Sequence, residues 1–179
     1  MSAALRPAGS AALPPPRPNP PRVDLLADCS DAIPVLGAWV RDVWPDAGGH
    51  DPRWAERLLR GWRRRRTLPL GLVGRDPQDA PIGLAALLRG ASPQGDEVVL
   101  LTALLVAPWA RLRGTGRALC TAALAHAARL GVATVHLYTS DSEAFYRRLG
   151  WRLIGDAIIG GATRPRAVAF MAADTADHR

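Results

Sequence analysis

The sequence predicts a mixed α/β domain built on one central sheet of about seven strands. Three observations carry this. Strand-like and helix-like stretches alternate along residues 22–173. The run Glu97 to Val106 is long and almost wholly apolar, as a strand deep in a sheet would be. A glycine-punctuated turn follows that run and opens at once into an alanine-rich helix.

Each element has its own signal. Residues 1–21 end in Leu13-Pro-Pro-Pro-Arg-Pro-Asn-Pro-Pro21. That composition cannot bury a core, and a disordered or polyproline II tail is expected. The folded domain is expected over 22–173, with 174–179 as a C-terminal tail. Val23 to Ala27 reads as a short strand. Asp31 to Trp44 reads as a helix capped by Ser30 or Asp31, with Ile33, Leu36, Val40 and Val43 on one stripe. Pro52 to Arg66 reads as a second helix, with Trp54, Leu58, Leu59 and Trp62 inward. Leu68 to Arg75 and Ile82 to Leu88 form a hairpin across a proline-rich turn. Glu97 to Val106 is expected to be buried on both faces. Gly114 to Leu130 is a helix closed by Gly131. Val132 to Thr139 is a strand and Ser140 to Leu149 a short helix. Trp151 to Asp156 and Ala167 to Met171 are the last strands, joined through a Gly160-Gly161 turn.

Composition narrows the chemistry. No apolar run reaches the roughly 18 residues of a membrane span, and the N-terminus lacks a signal peptide, so a cytoplasmic protein is expected. Cys29 and Cys120 have no metal-ligand spacing around them; they read as small buried hydrophobes, and no metal is expected. The net charge is +7, and all 23 basic residues are arginine. A P-loop and a Schiff-base enzyme each need a lysine, so both are excluded. The positive charge favours anionic partners, either a phosphorylated cofactor or nucleic acid.

The segment Val106 to Gly116 and the helix after it form an anion site in outline. The strand ends near Pro108. The turn holds Arg111, Leu112, Arg113, Gly114, Thr115 and Gly116, and Arg117 begins the helix. A helix start exposes unpaired N–H groups and a partial positive charge. Glycines let a phosphate approach the backbone. A Rossmann fingerprint fails, because Leu119 stands where the third glycine belongs. A glycine-rich helix start with a solvated arginine face is the plainer alternative.

Arg111-Leu-Arg-Gly-Thr-Gly116 resembles the Arg/Gln-x-x-Gly-x-Gly/Ala motif of the GNAT superfamily of N-acetyltransferases, and Leu105-Val-Ala-Pro108 resembles that family's preceding strand end. A second stretch, Ala144-Phe-Tyr-Arg-Arg-Leu-Gly-Trp151, resembles the family's short Phe-Tyr helix and its Leu-Gly-aromatic entry into the next strand. The resemblance covers about residues 22 to 173. Within the superfamily, the runs Pro34 to Trp44, Leu68 to Leu70 and Leu137 to Tyr146 resemble small bacterial members whose eukaryotic relatives include the actin N-terminal acetyltransferase.

The resemblance implies a GNAT fold splayed at the strand ending near Val106, and acetyl-CoA as co-substrate. An amine would attack the thioester directly in a ternary complex, so catalysis rests on positioning. The backbone of Leu104, Leu105 and Val106 would bond the pantetheine arm. The N–H groups from Leu112 to Arg117 would hold the pyrophosphate, with Arg111 beside them. Tyr146 matches the family's tyrosine that protonates the departing thiolate, of pKa ~8.5. The glutamate that some members use as a base is missing, since its place falls near Leu100. Asp96, Glu97, Asp141 and His136 are the other titratable candidates. Asp96 and Glu97 read equally as strand-end charges, Asp141 as a helix cap, and His136 as a hydrogen-bonded core histidine.

The acceptor is expected to be a primary amine, either small or a peptide N-terminus. If the Arg63 to Arg66 run reaches the acceptor region, the acceptor is acidic; otherwise the run is a solvated face. Two other functions stay open. One is a catalytically silent acetyl-CoA sensor. The other is an arginine-rich nucleic-acid module, although no aromatic stacking platform accompanies the charge. An oligomer is possible, and no membrane partner is expected.

Overall fold

A computed structural model describes residues 21–160 and 165–178. The expected tail over 1–21 lies outside the described residues except at Pro21, as does Gly161 of the last turn.

The elements run β1 (Arg22–Leu25), α1 (Ile33–Val43), α2 (Trp54–Gly61), β2 (Leu70–Arg75), β3 (Pro81–Ala91), β4 (Glu97–Val106), α3 (Thr115–Arg129), β5 (Thr134–Thr139), α4 (Glu143–Arg148), β6 (Arg152–Ile159) and β7 (Arg166–Asp174). They form one seven-stranded sheet in the order β1-β2-β3-β4-β5-β7-β6. Only the β4–β5 pair is parallel. One face packs against α3 and α4 through Leu87, Leu101, Leu119, Leu124, Leu137 and Met171. The other packs against α1 and α2 through Leu36, Val40, Leu59, Val73 and Leu84. No helix among the described residues is long and apolar enough to cross a membrane.

Several boundaries differ from the sequence expectation, each for a local reason. β1 stops at Leu25, because Leu26 turns into a short 3-10 segment and packs over Gly71, where an added Cβ would meet Leu26 Cδ2 at 2.8 Å. Neither Ser30 nor Asp31 caps α1. Asp31 instead accepts from the buried guanidinium of Arg75 at 2.9 Å, and Arg75 also lies 3.7 Å from Asp24. That arginine ties β2 to the segment before α1. α2 ends at Gly61, five residues earlier than expected. The Trp62 carbonyl accepts from Gly71 N–H at 2.8 Å and Arg63 bridges to Leu70, which takes the arginine run out of the helix. Val43 and Leu58, expected inside, are exposed.

At the other end, β7 continues to Asp174 and the expected tail still belongs to the domain. Thr175 is fully buried, its hydroxyl donating to the Val132 carbonyl at 2.6 Å, and Ala176–His178 turns against α3.

Candidate functional site

β4 is half-buried along most of its length rather than buried on both faces. Its partner explains this. β5 pairs with β4 only at Val99↔Val135 and Leu100↔His136. Beyond Leu100 the two strands part. The register with β3 also shifts between Leu84 and Ala86, where β4 carries one extra residue. Ala103 sits in that bulge with φ +52°. A bulge of this kind bends its strand and increases the local twist. The last residues of β4 therefore present backbone to an open cleft instead of to β5.

The cleft holds about 680 Å3. Leu104, Leu105 and Val106 form one wall. Arg111, Leu112, Gly114, Thr115, Gly116 and Arg117 form the next, and Phe145, Tyr146 and Arg148 of α4 face them. The structure thus brings every predicted site residue to one cavity except Arg113, which is exposed and does not line it.

The turn before α3 is shaped for an uncapped helix start. Gly114 is the N-cap residue, at φ +86°, where an L side chain would be strained. No side chain caps the helix, and the first intrahelical bond runs from Ala118 N–H to the Gly114 carbonyl at 2.9 Å. The N–H groups of Thr115, Gly116 and Arg117 remain for an incoming acceptor. Thr115 itself points inward, its buried hydroxyl donating to the Ala110 carbonyl at 3.3 Å. Gly116 sits in tight quarters: a Cβ there would lie 3.1 Å from Phe145 Cζ, so the ring would have to give by a few tenths of an ångström. Arg111 Nε donates to the Val106 carbonyl at 3.2 Å and fastens the turn to the strand end.

Tyr146 is 8% exposed and packs edge-on between Phe145 and Trp151. Burial, with a smaller push from Cys120, raises its phenol well above the usual tyrosine range. Its hydroxyl stays protonated and has no hydrogen-bond partner among the described residues. Cys120 is buried, which pushes its thiol up to about 12, and Cys29 is shifted the same way. Neither is a thiolate at neutral pH.

The other titratable candidates fall outside the cleft. Glu97 pairs with Arg89 and Asp96 accepts from Ser92, at the far end of β4, about 30 Å of extended chain from Val106. Asp141 does not cap α4. It accepts from Ser140 Oγ at 2.6 Å and pairs with Arg166 at 3.1 Å. His136 is not hydrogen-bonded at Nδ1 among the described residues; it stacks on Phe170 at 5.1 Å, and burial lowers its pKa. The Arg63 to Arg66 run is exposed and off the cleft, and Arg65 pairs with Asp28.

Nine lining residues lie outside the predicted site set: Trp39, Asp42, Val43, Ala107, Pro108, Ala110, Ser142, Phe145 and Arg148. Arg148 stands two places after Tyr146 and was within reach of motif reading. Trp39 was within reach as well, since the family resemblance places the acceptor beside the first two helices; Asp42 and Val43 were not, because nothing local says that the end of α1 overhangs β4.

Residues 35–151 match the sequence model of the Acetyltransferase (GNAT) family. No curated protein sequence matches the chain. Among solved structures, the chain is similar to an aminoglycoside 6′-acetyltransferase type Ii, with TM-score 0.64, 18% identity, and coverage of 86% of this chain and 97% of that one. It is also similar to a GCN5-related N-acetyltransferase from Kribbella flavida, with TM-score 0.62, 21% identity and coverage of 86% and 97%. A GNAT family N-acetyltransferase from Escherichia coli in complex with CoA matches with TM-score 0.59, 23% identity and coverage of 88% and 83%. At these identities the likeness is one of fold.

Proposed function

The chain belongs to the acetyltransferase (GNAT) family, and from that membership we propose that it moves the acetyl group of acetyl-CoA directly to a primary amine, small or at a peptide N-terminus, in a ternary complex. One observation carries the reading: the uncapped α3 start and the protonated Tyr146 hydroxyl meet on a single cleft beside unpaired strand backbone.

The residues fit the donor in turn. The free edge of β4 at Leu104, Leu105 and Val106 can pair with the amides of a pantetheine arm, as an added strand would. The N–H groups from Leu112 to Arg117 can take the pyrophosphate, and Arg111, Arg117 and Arg148 add formal charge around it. As the amine nitrogen attacks the thioester carbon and the C–S bond breaks, Tyr146 offers its proton to the sulfur. Its raised pKa keeps that proton available across the working pH range. The amine gives up its own proton to water, so the site needs no strong base when the acceptor arrives partly neutral, as an α-amino group of pKa ~8 does.

The runs at 34–44, 68–70 and 137–146 support a place among small bacterial members related to the actin N-terminal acetyltransferase, acting in the cytoplasm. We assign the catalytic unit to the domain that begins at Arg22.

The test is thiol release from acetyl-CoA over a panel of small amines and peptides, with Tyr146→Phe beside the parent chain. The expected result is turnover lowered by about 10²-fold or more in the variant, with acetyl-CoA affinity within about twofold. Unchanged turnover removes Tyr146 from the mechanism. Acetyl-CoA binding without turnover on any acceptor would leave a sensor.

A further inference from the structure

The two sides of the cleft differ in charge. Arg111, Arg117 and Arg148 stand on the α3–α4 side. The end of α1 closes the other side with Trp39, Asp42 and Val43, and Asp42 is the only carboxylate among the described residues that line the cavity.

Asp42 is unusual in this chain. Arginines outnumber acids, and most carboxylates are taken: Asp28, Asp31, Asp51, Glu143 and Asp174 each pair with one. Asp42 has no ion pair or hydrogen bond among the described residues. Its neighbour Arg41 is directed elsewhere, to Glu56 at 3.7 Å and the Pro52 carbonyl at 3.5 Å. Asp42 also sits in the last turn of α1, where the helix end is itself negative. Asp42 is exposed, and an unpaired acid there opposes the helix dipole. A cation bound beside it would relieve that repulsion.

What surrounds it is apolar. Trp39 is half-buried against Ile82, Ala107 and Ala110 and meets Trp109 edge-on at 6.2 Å. Val43 is half exposed. Among the described residues no arginine lines this side, and a carboxylate on the acceptor would face Asp42.

We propose that Asp42 is the specificity residue that receives the positive charge of the acceptor, while Trp39 and Val43 hold an apolar or aromatic body. The acceptor class is an apolar amine with no carboxylate beside the nitrogen. This rests on the acetyl-transfer reading of the cleft, and it replaces the acidic acceptor that the arginine run suggested. Asp42 is a positioning group; the proton leaves to water.

The test uses the full chain saturated with CoA and titrated calorimetrically with 2-phenylethylamine, phenylalanine and ethanolamine. The first two differ only by a carboxylate. An ion pair at a half-open site is worth roughly a factor of five to ten, so 2-phenylethylamine should bind about tenfold tighter than phenylalanine, and tighter than ethanolamine. Asp42→Asn should erase the gap over phenylalanine, and Asp42→Glu should keep it. In turnover, Asp42→Asn should raise KM by about tenfold and change kcat by less than about threefold. Equal binding of the first two amines, a gap that survives Asp42→Asn, or an acidic peptide as the best acceptor overturns the proposal. Failure of the underlying reading looks different: 2-phenylethylamine binds as stated, yet no amine releases thiol from acetyl-CoA.

Discussion

Gly116→Ala separates what the fold needs at the α3 start from what the ligand needs. Gly116 is the second residue of α3, and the new methyl would stand 3.1 Å from Phe145 Cζ, 3.7 Å from Cε2 and 3.8 Å from Val106 Cγ2. In the free protein the ring need move only a few tenths of an ångström, and Phe145 borders an open cavity that can absorb this. Alanine also gains up to about 1 kcal/mol over glycine in a helix. Stability should therefore hold or rise, by as much as roughly 2–4 °C in Tm. With the cleft filled, the ring has nowhere to go. Overpacking then costs about 1–3 kcal/mol, which weakens acetyl-CoA binding by about 5- to 150-fold. Differential scanning fluorimetry and calorimetry with CoA read the two quantities separately. Gly114→Ala is the contrast: nothing lies within 4 Å of its Cβ, but φ +86° imposes about 1–2 kcal/mol of strain, so stability falls. A Gly116→Ala protein that binds CoA within a factor of two would refute the placement of the phosphates on this turn.

Three further outcomes are expected. Cys120 keeps its proton when folded, up to about pH 12, and loses it near 8.5 when unfolded. Stability is thus fully present below that lower value and declines as pH rises, by about 1.4 kcal/mol per pH unit through this window. No lysine titrates there to mask the slope. Denaturant titrations from pH 7 to 11 should show a shallower decline in Cys120→Ala, and identical slopes would contradict the burial argument. Arg75→Met should cost roughly 2–4 kcal/mol, since it strips Asp31 and Asp24 of a buried partner; an unchanged urea midpoint would show that the cluster is dispensable. Leu112 is fully exposed at φ +60°, and Leu112→Asn should gain about 0.5–1 kcal/mol in the same assay; a loss would mean that the apolar side chain has a role in the turn.

The half of the candidate site built from β4, the turn and the start of α3 was legible because its signals are local. Gly114 marks a backbone conformation, the arginines mark charge, and Glu97 to Val106 was bounded correctly by its apolar run. Tyr146 could be found because Phe145 and the Leu149-Gly150-Trp151 entry frame it. The arginine run was misplaced on a helix. Helix propensity favours arginine, but the Trp62 carbonyl is bonded by Gly71 from nine residues on. Asp42 was invisible for a related reason. A charge in the last turn of a helix reads as solvated until the neighbouring strand and turn are in place. The half-burial of β4 could not be read either, because it depends on where β5 stops pairing.

Two residue pairs join β4 to β5, and beyond them β4 is held up to Val106 by β3 alone. That one-sided stretch spans about 20 Å from Leu100 to Val106 and includes the bulge at Ala103. The position of this wall of the cleft is therefore set from the β3 side, by pairing that lies outside the cavity.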